Sequence, residues 1–378
     1  MHSSRPGSTL GCDSRRVSQN NSERGLHWRR WNARIALIAE RSIAMSLSTS
    51  SRSVPTLVAG AHDVTSQAAV AVRRKAFRAL HERGCFVIPN PWDVGSARYL
   101  QHLGFPALAT TSAGFAFSQG LPDSSDHDVI ARDRGLAYIA SITAAVDLPV
   151  SADFMSGYGV RAEDVAESVR RCVATGVAGL SIEDATGDPT SPLYDLPTAV
   201  ERVRAAREAI DQSGGDVLLT ARAECYHVGH PDPFRESVRR LEMYAAAGAD
   251  VLFAPGPQNS AEIRALVEAV APKPINLLVV RDIGLRVEEI AALGVRRISV
   301  GGALALAAWT GFMRAAQALR SKGSFDGLAS LVPYAEINRL FEASLPGHAA
   351  VDDECGRSES LDPDNVGDIA DEGAGHRG

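Results

Sequence analysis

One unit recurs eight times between residues 85 and 321: an apolar run of four to six residues, a loop, then an amphipathic stretch of helix length. The runs are Cys85–Ile88, Ala107–Thr111, Pro149–Asp153, Gly179–Glu183, Val217–Arg222, Val251–Ala254, Ile275–Val280 and Arg297–Val300. The helical stretches are 93–103, 126–146, 161–175, 196–212, 233–247, 259–270, 283–293 and 303–321. Gly104, Gly176, Gly248 and Gly294 each follow a helix and precede the next strand, as glycine C-caps do. The runs are continuously apolar rather than alternating, which is expected of strands covered on both faces. Eight such units predict a (β/α)8 TIM barrel. An open doubly wound sheet should carry a glycine-rich phosphate loop after its first strand, and here that position reads Pro89-Asn90-Pro91-Trp92-Asp93.

The barrel is expected over residues 70–345, flanked by segments of different character. Residues 1–65 are rich in Ser and Arg without sustained periodicity. They read as a disordered arm, or as chain upstream of a true start at Met45, with an acid-poor transit peptide as the alternative. Residues 346–378 read as an acidic, disordered tail. The formal charge of -6 is unevenly placed: residues 1–44 hold eight Arg against three acids, residues 351–378 nine acids against two Arg. The body between is mildly acidic, which argues against a nucleic-acid partner. No apolar run is long enough for a bilayer. Five scattered cysteines suit reduced thiols and a cytoplasmic location rather than a disulfide framework or zinc site.

In a barrel, the C-terminal ends of the strands converge on one mouth. The second strand ends in Thr110-Thr111-Ser112-Ala113-Gly114, whose small residues can present N–H groups to a carboxylate or oxyanion. Asp123 lies on the loop beyond. The third strand ends in Asp153, the fourth in Glu183-Asp184, the fifth in Arg222-Ala223-Glu224, and the seventh contains Asn276. Alternation sends Glu183 and Asp184 to opposite faces. Carboxylates gathered at one mouth repel unless a hard divalent cation such as Mg2+, or Mn2+, joins them. An arginine beside them offers a fork to a substrate carboxylate. Duller readings stay open: Asp153 as a helix cap, Glu183 and Arg222 as a buried ion pair, Asp123 as turn chemistry.

These residues resemble the isocitrate lyase / phosphoenolpyruvate mutase superfamily over roughly 75–325. The resemblance rests on Thr111-Ser112-Ala113-Gly114, Gly120-Leu121-Pro122-Asp123, Ala152-Asp153 with Gly157-Tyr158-Gly159, Ile182-Glu183-Asp184, Ala221-Arg222-Ala223 and Ala247-Gly248-Ala249-Asp250. It implies a (β/α)8 barrel whose last helix is often exchanged in homodimers or homotetramers. It also implies Mg2+ and an enolate of a pyruvate-like acid. By position it implies metal-site roles for Asp153 and Glu183 and a substrate-carboxylate role for Arg222. The backbone of Ser112, Ala113 and Gly114 would be the oxyanion nest and Asp123 the acidic loop residue.

The chain also departs from that pattern. Residues Ala185 to Asp195 lack the Lys-Cys-Gly-His loop of the isocitrate-type lyases, Ser151 stands where Asp is usual, and the mutase gating loop is missing. The expected activity is therefore a Mg2+-dependent carbon–carbon lyase, a decarboxylase or aldol-type enzyme, acting on a small 2-oxo or 2-hydroxy di- or tricarboxylic acid. Asp123, Tyr194 and Asp188 are the candidate acids and bases, and Asn276 a candidate substrate contact. Phosphonopyruvate hydrolysis or phosphonomutase chemistry, and non-catalytic binding of an oxo acid, are the alternatives.

Overall fold

The structure, a computed structural model, describes residues 61–124 and 130–343. The expectations for the N-terminal arm, from residue 1 to 60, and for the acidic tail lie outside the described residues. Eight strands form one all-parallel sheet in the order β1-β8-β7-β6-β5-β4-β3-β2. They are β1 (Phe86–Ile88), β2 (Leu108–Ala109), β3 (Val150–Asp153), β4 (Gly179–Glu183), β5 (Leu218–Arg222), β6 (Val251–Phe253), β7 (Ile275–Leu278) and β8 (Arg297–Ser299). The remaining seam, β1 to β2, is closed by the Ala109 N–H donating to Pro89 O at 3.1 Å. Asn90 reinforces it. Its Nδ2 donates to Thr110 O at 3.0 Å, and its Oδ1 accepts the N–H groups of Val300 and Gly301, each at 2.9 Å. The barrel predicted from the repeat is the observed fold, and all eight runs are strands.

The helices in chain order are α1 (Ala61–Glu82), α2 (Val94–His102), α3 (Ser112–Ser118), α4 (Arg132–Ala145), α5 (Ala162–Ala174), α6 (Leu196–Gln212), α7 (Pro233–Ala246), α8 (Ser260–Val270), α9 (Val287–Ala292), α10 (Ala303–Lys322) and α11 (Tyr334–Glu342). Their starts are set by side chains: Asp93, Asp195, Asp232 and Asn259 each accept a backbone N–H from the first turn. Gly104, Gly176, Gly248 and Gly294 take φ of 79° to 104°, as helix-ending glycines require. Strand alternation then divides the chain into two environments. Leu180, Ile182, Leu219 and Ala221 pack with Val165, Val169, Val203 and Leu241 of the helices in the main core. The facing positions Ser151, Ser181, Thr220, Asn276, Arg297 and Ser299 are also buried, so the barrel interior is polar.

Helix α1 was not marked by the sequence pattern, and its first residues fall inside the stretch assigned to the arm. It supplies the barrel's floor. Phe77 packs with Phe86, Ile88, Ala107, Ala178 and Leu218. A Cβ on Gly179 would come within 2.7 Å of the Phe77 ring, so glycine there admits the plug. His81 sits edge-on to Phe77 and Phe86 with centroids 4.7 and 5.0 Å away, its Nδ1 2.8 Å from Phe77 O. Its Nε2 faces an Arg297 N–H at 3.5 Å. Since guanidinium only donates, Nε2 is the acceptor and Nδ1 carries the proton. Among the described residues no helix is long and apolar enough to cross a membrane.

Burial, reinforced by the charge of Arg297, lowers the His81 pKa to about 3 from its ordinary 6.5. Between these values the unfolded chain binds a proton that the folded chain refuses. Stability should therefore fall as the pH drops through that window, by roughly 1.4 kcal/mol per unit from this group at most. His81→Gln keeps an acceptor but cannot titrate. Its urea-unfolding free energy should decline less steeply than the wild type's between pH 6.5 and 4.5, and equal slopes would refute the assignment.

Candidate active site

At the C-terminal mouth, Arg222 at the end of β5 holds three acids. Its Nη1 is 3.0 Å from Asp153 Oδ1 and 3.1 Å from Glu183 Oε2, while Nε donates to Glu224 Oε1 at 2.8 Å. Parallel register explains the convergence: Glu183 is paired with Arg222, and Asp153 with Ser181 one strand over. The other Asp153 oxygen accepts the Ser112 N–H at 2.9 Å and the Ser112 hydroxyl at 2.8 Å. The Asp153 N–H donates to Thr110 Oγ1 at 2.9 Å. Glu224 Oε2 lies 2.8 Å from His227 Nδ1. The face of Phe253 is 5.0 Å from the guanidinium carbon of Arg222.

The loop after β3 is held against its own preference. Met155 and Tyr158 have φ of 50° and 54°, a conformation that side chains disfavour. Arg202 of α6, 1% exposed, donates to the carbonyls of Ser156, Gly159 and, at 2.7 Å, Val160. The Glu183 N–H bonds Met155 O at 3.0 Å. This clamp fixes where Asp153 ends its strand.

The acids outnumber the cation. Burial, with Glu224, Asp153 and Asp184 nearby, pushes Glu183 up to about 8 despite Arg222. Asp123 is also raised, by burial first and then by Asp153. Glu224 is lowered, because Arg222 and His227 together outweigh its burial. Arg222 is itself buried, yet the three carboxylates hold it firmly protonated. Among the described residues no three His, Cys, Asp or Glu side chains form a ready metal cage. Magnesium does not need one, because it commonly keeps several waters and takes one or two carboxylates. The surplus of acid over base, with Glu183 and Glu224 buried, Asp153 half-buried and Asp123 exposed at the cavity mouth, is the feature that suits a divalent cation here.

A cavity of about 220 Å³ opens below and beside this cluster. Of the residues singled out from sequence, Asp123, Ser112, Ala113, Asp153, Arg222 and Asn276 line it. Glu183 reaches the cluster through Arg222 but does not line the cavity. Three expectations meet a different local structure. The nest at Ser112, Ala113 and Gly114 is the first turn of α3. Within it the Gly114 N–H is bound to Thr111 Oγ1 at 3.2 Å and the Ser112 N–H to Asp153, which leaves Ala113 to face the cavity. Arg222 is not a free fork, since Nε and Nη1 are committed to protein acids, and the ion-pair reading of Glu183 and Arg222 holds geometrically. Tyr194 lies away from the cavity: its ring stacks on Arg202 at 4.0 Å, and its backbone bonds Asp184 O and Arg240. The cation–π contact draws it to the outer face of the loop.

Sequence reading did not mark Arg297, Ser299, Asn90 and His227 as site residues, yet all four line the cavity. The signal for Arg297 was present: a charged residue opening an apolar strand.

Asp184 points outward, as alternation required. Its Oδ1 accepts the Glu224 N–H at 2.8 Å, and its Oδ2 accepts Arg240 Nη1 at 2.9 Å and Tyr244 Oη at 2.5 Å. Asp184→Ala should leave Arg240 and Tyr244 buried without an acceptor and loosen the strand end that carries Glu224. We expect a loss of about 3–5 kcal/mol in denaturant unfolding. A loss under about 1 kcal/mol would show that this network is not what supports the site.

The family model for phosphoenolpyruvate phosphomutase matches residues 77–320. An uncharacterised protein, MT2054, of Mycobacterium tuberculosis (strain CDC 1551 / Oshkosh) is 32% identical over 263 residues, covering 69% of this chain and 94% of that one. An oxaloacetate decarboxylase of Paraburkholderia xenovorans (strain LB400) is 29% identical over 206 residues, 52% of this chain and 66% of the relative. The crystal structure of a Burkholderia cenocepacia J2315 protein, provisionally described as a lyase/mutase, superposes with a TM-score of 0.69 at 47% identity. It covers 73% of this chain and 98% of that one. The strand-end carboxylates and arginine thus stand on the barrel of a known group of enzymes, and the chain belongs to the isocitrate lyase / phosphoenolpyruvate mutase superfamily of lyases and mutases.

Proposed function

We propose that the protein is a magnesium-dependent carbon–carbon lyase acting on a small 2-oxo or 2-hydroxy dicarboxylic acid, with decarboxylation the simplest such reaction. The observation that carries this is the acid surplus around Arg222 at the mouth of a cavity too small for a nucleotide. Typical pockets for drug-sized ligands run to roughly 300–1,000 Å³, against about 220 Å³ here. Asp153 would hold the ion, with Asp123 and Glu183 reaching it through water. The ion would supply positive charge against the enolate oxygen that forms when the carbon–carbon bond breaks. Ser112 fixes the Asp153 carboxylate through two hydrogen bonds. Arg222 orders Asp153, Glu183 and Glu224 and leaves Nη2 for a substrate carboxylate. Asp123 faces the cavity with a raised proton affinity, which suits it to return a proton to carbon after the bond breaks. The oxaloacetate decarboxylase relative supports this substrate class. Loss of CO2 also asks for no thiol from the 185–195 loop, which here is a short hairpin with Ala185 bridged to Leu193.

We also propose that the protein works as a homodimer or homotetramer. From α10 onward Leu306, Trp309, Phe312, Met313, Phe325, Leu331 and Val332 are exposed, a larger apolar run than a monomer ordinarily leaves in water. A second copy of the same segment is the fitting cover.

A panel of oxo and hydroxy diacids assayed with Mg2+ should give turnover that Asp153→Ala or Arg222→Ala lowers by about 100-fold or more, the scale of removing transition-state electrostatics. Undiminished turnover in chelator, or in Asp153→Ala, would defeat the reading, and turnover of phosphonopyruvate alone would move the chemistry to phosphorus. Light scattering on the intact protein should give a dimer or tetramer mass that Phe312→Asp reduces, whereas a monomer at micromolar concentration would end the assembly proposal.

A further inference from the structure

Below Arg222 the cavity continues into the barrel, and its lining changes sign. The acids of the cavity wall, Asp123 and Asp153, are both at the mouth. Deeper, the wall is Ser151, Ser181, Asn276, Ser299 and one charge, Arg297. Arg297 is 5% exposed. It crosses the lumen from β8: Nε donates to Asn276 Oδ1 at 2.8 Å and Nη2 to Thr220 Oγ1 on β5 at 3.1 Å, and Nη1 approaches His81 Nε2 at 3.5 Å. All three partners are neutral, His81 included, since its pKa is about 3.

A buried guanidinium is ordinarily matched by a carboxylate, as Arg222 and Arg240 are in this same barrel, or by several carbonyl oxygens, as Arg202 is. Arg297 has no acid among its described contacts. Burial alone draws its pKa down, to about 9, with no acidic group opposing, so it remains charged at neutral pH. The contacts also use three of its five N–H donors, which leaves one on each terminal nitrogen, the pair that two oxygens of one carboxylate accept. Asn276 is a positioning residue here: its Oδ1 holds Arg297 and its Nδ2 donates to Ser299 Oγ at 2.9 Å, so its amide is locked in one orientation.

We propose that the barrel floor is an anion subsite in which Arg297 receives a carboxylate. Building on the reading above, that group is the carboxylate remote from the oxo or hydroxy end of a dicarboxylic substrate; in a decarboxylation it is the group that leaves as CO2, and the electron pair of the broken bond passes to the enolate beneath Asp153 and Arg222. The single uncompensated charge matches a carboxylate better than a doubly charged phosphonate. Thr220 stands two residues below Arg222, roughly 6.6 Å along the strand, the span of a four-carbon diacid.

Formate tests the floor without requiring any reaction. At constant ionic strength it should raise the melting temperature of the wild type by about 2–4 °C, the shift expected for about 1 kcal/mol of binding in a domain this size. It should leave Arg297→Met unmoved. Ser299→Asp, which supplies an internal carboxylate on the same strand, should likewise abolish the shift and serves if Arg297→Met fails to fold. A formate shift that persists in these variants, or none in the wild type, overturns the subsite. Calorimetry with malate and pyruvate in Mg2+ adds the substrate half: the wild type should prefer malate about 10-fold or more, and Arg297→Met should lose that preference while still binding pyruvate. A preference kept by the variant also overturns the proposal. Failure of every diacid to turn over, with the formate shift intact, would instead remove the lyase reading and leave the floor standing.

Discussion

One guanidinium organises the mouth of this barrel. Arg222 draws Asp153, Glu183 and Glu224 from three adjacent strands or their ends to within 3.1 Å of its nitrogens. Without it, these carboxylates would repel one another. With it they stay gathered, Glu183 still with a raised proton affinity, and the acid in excess remains receptive to a second cation. The surroundings serve this arrangement. Ser112 turns Asp153, Asp184 anchors the Glu224 backbone, and Arg202 grips the carbonyls of the strained loop after β3. The geometry belongs to strand ends, the stiffest part of the fold, rather than to the loops that follow.

Barrel closure is the second dependence. Strands β1 and β2 are the weakest seam, and Asn90 crosses it by bonding Thr110 on one side and Val300 and Gly301 on the other. Its position just after β1 puts the latch at the same mouth as the clustered carboxylates. The Thr110 backbone it holds is adjacent to the hydroxyl that receives the Asp153 N–H. Closing the barrel and aiming Asp153 are therefore linked through one residue. The sequence offered Pro89-Asn90-Pro91 only as evidence against a phosphate loop, although the asparagine proves structural.

Strand runs, glycine stops and capping acids are local chemistry, so the repeat and the eight strands could be read directly from the chain. The strand-end acids were legible for the same reason, since alternation and register follow from backbone geometry. What could not be read was which partner each polar group would choose. Tyr194 looked available beside a missing catalytic loop, but Arg202, eight residues on, offered its ring a charged face. Ser112 to Gly114 read as an open nest, but they begin a helix, and Ser112 and Gly114 spend their N–H groups on Asp153 and Thr111. Helix α1 escaped because its apolar residues meet the barrel's open end rather than a neighbouring helix, so its stripe is short. These are long-range choices, decided by which groups the closed barrel excludes from water.

The interior carries two charge imbalances of opposite sign, one above the other. Acids exceed bases at the mouth, and Arg297 lies at the floor with only neutral partners among the described residues. A barrel filled with apolar residues would be more stable than one keeping Arg297 inside, because desolvating a cation without a counter-charge is among the costliest things a core can do. The polar lining, Ser151, Ser181 and Ser299, with Thr220 buried behind it, is likewise a poor choice for packing alone. Ser151 occupies the position where the resemblance leads one to expect an aspartate, and an acid there would set negative charge deeper in the lumen. Serine instead keeps the carboxylates confined to the mouth and the lower wall neutral, so the field along the barrel axis runs from a negative rim to a positive floor. A ligand that brings a cation to the first and a carboxylate to the second neutralises both at once. Neither a metal alone nor a monoacid alone would do so, and this asymmetry is the physical argument for a diacid.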